Sequence, residues 1–221
     1  MNKSTYISRF IVVSVVFALI SGISLYAVAA TEDGILSYNI GEFHKAEALF
    51  REVLKGNADD IQAGYYLGMT LLMEEKFKEA LGIFQNLEDN INNKAVIKDT
   101  DVPTRGQVEI GLVRSYLGLK QYSDALKSIH AAERVKADSI DIHTYYGAYY
   151  LEMNENARAQ KELETALNQK SQNPYTYYFA GISYLRLGHP AKAVEQFKVF
   201  LQLAPYAPEA EHAKFLIDTL C

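Results

Sequence analysis

A regular spacing of glycines is the feature that most constrains this chain. Gly34 lies 34 residues before Gly68, and Gly147 lies 34 residues before Gly181. Val113 continues the series, 34 residues before Gly147 and 45 residues after Gly68, which is one repeat plus eleven inserted residues. A fixed period of this length is typical of stacked helical repeats and not of a single globular core. The spacing therefore predicts an array, an architecture that usually binds other proteins and seldom carries out chemistry.

Each repeat has the pattern of two amphipathic helices joined by a short turn. In residues 61–94, Gly68 and Leu71 share one face of the first predicted helix, and Ala80 and Phe84 share one face of the second. We expect the small residues to lie where the two helices cross most closely. The large residues would fill the space that remains.

These residues resemble the tetratricopeptide repeat (TPR), and the resemblance covers nearly all of residues 31–207. It is carried by Leu67, Gly68, Ala80 and Phe84 in the second repeat, and by Ala180, Gly181, Tyr184, Gly188, Ala193, Phe197 and Pro205 in the last. The third repeat is a weaker copy, with Val113 in the glycine position and its glycine displaced to Gly111. The resemblance implies an all-α fold, a right-handed α–α superhelix of about five repeats plus a C-terminal capping helix.

The period also predicts where the chain divides. We expect a signal peptide or signal anchor at 1–30, repeats one and two at 31–87, an inserted loop at 88–105, repeats three to five at 106–207, and a capping helix at 208–221. The first repeat would then be shortened by the leader. The capping helix would turn Glu209, Glu211, His212 and Lys214 outward to cover the last repeat.

Two smaller features belong to the connections between helices. Gly41, Asn154 and Gly188 lie in turns between paired helices, where residues of these types tolerate a positive φ. The 88–105 insertion is acidic and rich in asparagine but lacks the spacing of a calcium loop. We interpret it as a polar loop that extends or bends the array, with a partner-contact loop as the alternative.

The first thirty residues have the composition of an export leader. Lys3 and Arg9 precede the apolar stretch 11–20, and small residues end at Ala30. This layout predicts a secretory signal cleaved after Ala29 or Ala30. The alternative is an uncleaved anchor, because residues 10–30 carry no charge and are long enough to span a bilayer. The repeats would be periplasmic or exported in the first case, and held on the periplasmic side of the inner membrane in the second.

Charge and histidine spacing argue against several functions. The net charge is -5 and no run of basic residues occurs, so nucleic-acid binding is not expected. None of the five histidines has another histidine three or four residues away, so no helical metal site is predicted. No nucleophile, phosphate-binding or metalloprotease motif is present. We therefore expect no catalytic residue, no cofactor and no enzyme activity.

The TPR resemblance implies a concave groove lined by the second, fifth, ninth and twelfth positions of each repeat. Tyrosine and methionine at such positions offer the large or adaptable apolar surface favoured at interfaces. The predicted peptide-binding residues are Tyr65, Met69, Arg114, Tyr175, Tyr178, Ile182 and Arg186. The lysine–asparagine pair with which some TPR proteins grip a chaperone's C-terminal carboxylate is absent from these positions.

The sequence therefore predicts a TPR protein–protein interaction adaptor of the cell envelope. Its groove would bind a protein or peptide segment and so support the assembly or secretion of an envelope complex. The alternative is a structural scaffold of the envelope that forms by self-association into a homo-oligomer. A membrane contact would come only through residues 10–30, if the leader is uncleaved.

Overall fold

Paired helices account for almost all of the chain that the computed structural model describes, residues 27–93, 103–135 and 137–220. The helices are α1 (27–39), α2 (Phe43–Gly56), α3 (Ile61–Met73), α4 (Phe77–Asn93), α5 (Arg105–Gly118), α6 (Tyr122–Arg134), α7 (Ser139–Glu152), α8 (Asn156–Asn168), α9 (Pro174–Arg186), α10 (Pro190–Leu203) and α11 (Ala210–Leu220). These residues contain no strand. Each helix packs mainly on its neighbours in sequence, which confirms the all-α solenoid.

The periodic glycines mark the points where the two helices of a repeat touch. A Cβ atom added to Gly68 would lie 2.7 Å from Cζ of Phe84, and one added to Gly181 would lie 2.5 Å from Cε1 of Phe197. Both phenylalanine rings are fully buried. Any side chain at these glycines would displace the ring that fills the repeat, so the period follows from a repeated steric requirement.

The third repeat packs its two helices closely with different residues. Val113 occupies the glycine position, is fully buried, and packs in one cluster with Ile129, where other repeats have phenylalanine or leucine. The displaced Gly111 faces the preceding repeat, because a Cβ there would collide with the ring of Phe84. The shift of the glycine by two residues therefore moves the close contact from within the repeat to the boundary between repeats.

The turns between paired helices share one backbone conformation. Gly41 and Gly188 have φ of 82° and 78°, and Asn154 has φ of 57°, which confirms the prediction for these three turns. Glu75 and Lys120 occupy the same place in their repeats with φ of 56° and 58°. Their residue types gave no sign of this conformation, which side chains with a Cβ adopt at a cost.

The first repeat is not shortened as expected. Helix α1 is already present at residue 27, and Ala30 is buried in the core of this repeat. Most of the predicted leader, residues 1–26, lies outside the described residues. Within the part of the chain that is described, no helix is long and apolar enough to cross a membrane.

The insertion is helical in its first part, contrary to the predicted loop. Helix α4 continues to Asn93, and Ile91 packs in the core. At the other side, Thr104 caps α5 through a hydrogen bond from the Gln107 backbone, and the Gln107 side chain accepts one from the Thr104 backbone. The predicted loop at 94–102 lies outside the described residues.

The two ends of the array approach each other. The segment 204–209 connects α10 to α11, and its Tyr206 packs against Gly41 in the turn after α1. A Cβ added to Gly41 would lie 2.6 Å from Cγ of Tyr206. The concave side of the solenoid is therefore bounded by both its first and its last repeat.

Candidate functional site

The first helices of all five repeats converge on one concave cavity of about 390 Å³. Each contributes at least one large side chain to its wall: Tyr38 from α1, Tyr65 from α3, Arg114 from α5, Tyr145 from α7 and Tyr175 from α9. The segment 203–207 closes the side next to α1. Cavities of this volume, with aromatic walls and a few polar groups, are typical binding sites.

Arg114 is the cation at the centre of this surface. Its Cζ lies 4.5 Å from the centroid of the Tyr175 ring, in a cation–π arrangement. Its Nη1 and Nη2 lie 3.8 Å and 4.0 Å from the sulfur atoms of Met69 and Met73, which are weak acceptors. The arginine ion pairs within the described residues involve Arg51 and Arg158, not Arg114.

Two carboxyl groups lie near Arg114 without forming an ion pair with it. Asp141 lines the same cavity and accepts a hydrogen bond of 2.6 Å from Nδ2 of Asn173. Glu209 lines a second cavity of about 200 Å³, which Arg114 also borders. Burial raises the pKa of both carboxyls, and the Arg114 charge opposes the shift. Their charge therefore offsets that of the guanidinium only from a distance.

Glu209 corrects one expectation about the capping helix. It was predicted to face outward, but its carboxyl is directed inward, and Oε2 is buried with no hydrogen-bond partner within the described part of the chain. Glu209 precedes α11 in sequence, where the chain turns back over the concave side. Charge alone predicted exposure, whereas the path of the chain brings this carboxyl near Arg114.

Four of the predicted groove residues come together in the cavity. Tyr65, Met69, Arg114 and Tyr175 all line it. They come from three different repeats, and their equivalent positions within the TPR repeat are the only sequence feature that links them. The repeat register therefore brought together residues that lie far apart in the sequence.

The other three predicted residues do not line the cavity. Tyr178 packs against Phe200 at 5.1 Å between ring centroids, and its hydroxyl lies 2.8 Å from Nδ1 of His212 in α11. Arg186 donates a 2.5 Å hydrogen bond to the carbonyl of Leu151, and Ile182 joins the apolar cluster of the last repeats. These side chains hold α9 to the capping helix and to α7.

Three of the five tyrosines in the cavity wall were not predicted from the sequence. Tyr38 is the twelfth residue of a repeat that begins at residue 27, so the same register would have found it if the first repeat had been taken as complete. Tyr145 is only 3% exposed, and burial raises its pKa to about 12. Tyr206 lies outside any helix, and no periodic signal marks it.

A second cluster, on α2 and the turn after α3, brings potential metal ligands together. Atoms of His44, Glu47 and Glu74 lie within 4.8 Å of one another. The ammonium of Lys76 already lies 2.7 Å from Glu47 and 2.9 Å from Glu74. Burial alone would raise the pKa of Glu47, but hydrogen bonds from Lys76 and Arg51 lower it to about 2. The cluster is thus a network of ion pairs between neighbouring repeats.

The stacked helix pairs and the shared concave cavity define a helical-repeat protein of the binding class. A sequence profile described as tetratricopeptide repeat matches residues 34–94 and 147–208, together more than half of the chain. The chain therefore belongs to the tetratricopeptide repeat family, whose members bind protein or peptide partners and are typically not enzymes.

Solved structures show the same fold at low sequence identity. TTC0263, a thermophilic TPR protein of Thermus thermophilus, is 21% identical, with 88% of this chain and 98% of that chain covered and a TM-score of 0.68. A tetratricopeptide repeat protein of Parabacteroides merdae is 16% identical, with 92% and 74% covered and a TM-score of 0.69. YrrB, described as a TPR protein with an unusual peptide-binding site, is 18% identical, with 90% and 97% covered and a TM-score of 0.51. No curated protein sequence matches the chain significantly.

Proposed function

We propose that this protein is a TPR adaptor of the cell envelope that binds a segment of a partner protein in its concave cavity. The partner would be a component of an envelope complex whose assembly or secretion the adaptor supports. The observation that carries the proposal is the convergence of all five first helices on one cavity. Tyr65, Met69 and Tyr175 supply the aromatic and thioether surface that protein interfaces favour.

The envelope location rests on the leader. Lys3, Arg9 and the uncharged residues 10–30 support export. The burial of Ala30 within α1 supports the uncleaved, anchored form, because cleavage after Ala30 would remove a packed residue from the first repeat. Sequencing the N-terminus of protein from the membrane and soluble fractions tests this point. A chain that begins at Ala30 or Thr31 would contradict the anchored form.

A pull-down from envelope extract tests the binding site. We expect Tyr65→Leu combined with Met69→Ala to reduce partner recovery at least ~tenfold, because interface energy concentrates in a few central side chains. The matched control is Tyr178→Leu combined with Ile182→Ala, which changes comparable apolar residues outside the cavity. Circular dichroism would verify that both variants fold. Undiminished recovery with the Tyr65/Met69 variant would contradict a partner site in this cavity.

Self-association is the second candidate function, and exposed apolar side chains at the two ends of the array support it. Leu36 on α1 is 60% exposed and Phe215 on α11 is 65% exposed. Exposed apolar surface of this kind marks a candidate contact with another molecule, here a second copy of the chain. Light scattering over a wide range of protein concentration tests the scaffold function. We expect oligomers for the wild-type chain and fewer of them for Phe215→Ser. A monomer at every concentration would rule it out.

A further inference from the structure

We propose that the concave cavity contains a carboxylate-binding site, in which the guanidinium of Arg114 pairs with one carboxylate carried on an apolar or aromatic stem. The proposal rests on the binding function proposed above and specifies the chemistry of what the cavity takes. The carboxylate could belong to the terminus of a peptide or to a small organic acid. Both present the same group to Arg114.

The first argument is the incomplete pairing of a charged group. The Arg114 guanidinium contacts the Tyr175 ring and the sulfur atoms of Met69 and Met73. Arg114 is half-buried, and its guanidinium keeps its charge because it cannot give up a proton. Its five donors therefore need oxygen partners, which a carboxylate supplies in the best geometry. Among the described residues Arg114 forms neither an ion pair nor a hydrogen bond to oxygen. A bound carboxylate would satisfy these donors, with both oxygens facing the guanidinium fork.

The second argument comes from the nearby acids. The carboxyl of Asp141 accepts a hydrogen bond from Asn173. Glu209 lines the second, smaller cavity, which Arg114 also borders. Neither lies within 4.0 Å of the guanidinium, so the larger cavity keeps a position beside Arg114 for an added negative group. The phenol rings of Tyr38, Tyr65 and Tyr145 line the rest of the wall. They suit an apolar stem behind the carboxylate.

The third argument is size. The contact of Tyr206 with Gly41 bounds the cavity on the side where an extended chain would otherwise leave it. A volume of about 390 Å³ accommodates a compact ligand or a few terminal residues. The site therefore favours a chain end or a small acid over a long segment laid through the groove.

Titration with paired acids and amides tests the proposal. The probes are 3-phenylpropionate against 3-phenylpropionamide, and N-acetyl-Leu-Leu-Phe with a free carboxylate against its C-terminal amide. Tyrosine fluorescence and thermal unfolding report binding, since the chain has 16 tyrosines and no tryptophan. We expect at least one acid to bind at least ~tenfold more tightly than its amide, because charge-assisted hydrogen bonds are roughly twice as strong as neutral ones. The acid that binds identifies the source of the carboxylate.

Arginine variants assign the binding to Arg114. We expect Arg114→Gln to abolish the preference for acid over amide, and Arg114→Lys to weaken it, because an ammonium lacks the planar fork. The matched control is Arg158→Gln, since Arg158 stacks on Tyr150 at 4.8 Å in the same way but lies outside the cavity. An equal response to sulfate, or an unchanged preference in Arg114→Gln, would overturn the proposal.

A measurement without ligand tests the premise that Arg114 is unpaired. We expect Arg114→Met to raise the melting temperature by a few degrees, because an apolar side chain replaces a half-buried charge that has no acidic partner. A fall of the same size would show that Arg114 is a structural residue and would overturn the proposal. If no acid binds while the Tyr65/Met69 variant still loses its partner, the carboxylate site is wrong and the adaptor function stands.

Discussion

Glu109 is a carboxyl whose surroundings disfavour its charge. It lies on α5 with 4% of its surface exposed, near Glu88, Arg105 and Arg134. Burial, reinforced by the charge of Glu88, raises its pKa to about 7, and the two arginines oppose the shift. At neutral pH this side chain is therefore close to half protonated in the folded protein.

We expect Glu109 to make the folded protein less stable as the pH rises. The folded state holds the proton more tightly than the unfolded chain, so the stabilisation is complete below the ordinary pKa of 4.5 and is lost as the pH passes about 7. Glu109→Gln should remove about 1–2 kcal/mol of the decrease in unfolding free energy between about pH 5 and 8. Urea denaturation at several pH values measures it, with the exposed Glu195→Gln as control. A variant profile that parallels the wild type would contradict this assignment.

Some single residues were predictable from the sequence and others were not. Gly68 and Phe84 follow from the period, because one steric requirement recurs in each repeat. Arg114 could be placed in the groove by its register. Its lack of an acidic partner could not be predicted, because that depends on where Asp141 and Glu209 lie after distant repeats have stacked.

The turns between paired helices offer a test at the level of the element. Lys120 adopts φ of 58° in a place where two other repeats have glycine, and the left-handed conformation is costly for a residue with a Cβ. We expect Lys120→Gly to raise the unfolding free energy by about 0.5–1 kcal/mol, as relief of strain exceeds the entropic cost of glycine. The neighbouring Gln121→Gly, at φ of -90°, relieves no such strain and should not give the same increase. Urea denaturation decides between them, and a destabilised Lys120→Gly would refute the argument.

The length of α4 shows where a pattern was available and was misinterpreted. Phe84, Leu87 and Ile91 follow one another at helical intervals of three and four residues, and all three are buried. The acidic and asparagine residues around Ile91 favoured a loop when judged by composition. Periodicity was the better guide, because the buried face of a helix continues regardless of how polar its exposed face is.

At the scale of the whole molecule, contact between the ends of the array can be tested with two glycines. Gly41 and Gly188 have similar positive φ values, but only Gly41 has another residue against it, Tyr206. We expect Gly41→Ala to cost about 1 kcal/mol more than Gly188→Ala, and to increase the radius of gyration in small-angle X-ray scattering. Gly188→Ala should leave the radius unchanged. Equal effects of the two substitutions would mean that the ends do not meet in solution.

The number of repeats and their pairing could be predicted because each depends on local periodicity. The meeting of Gly41 with Tyr206 could not, because small rotations between successive repeats accumulate along a solenoid and no local pattern encodes their sum.

The same contact has a mechanical consequence. A solenoid with free ends behaves as a spring, since each repeat is held only by its neighbours and bending at one place is not resisted elsewhere. Tyr206 resting on Gly41 fastens the two ends of that spring. Tension applied to the termini would first separate one aromatic ring from one glycine, and only then stretch the coil of helices.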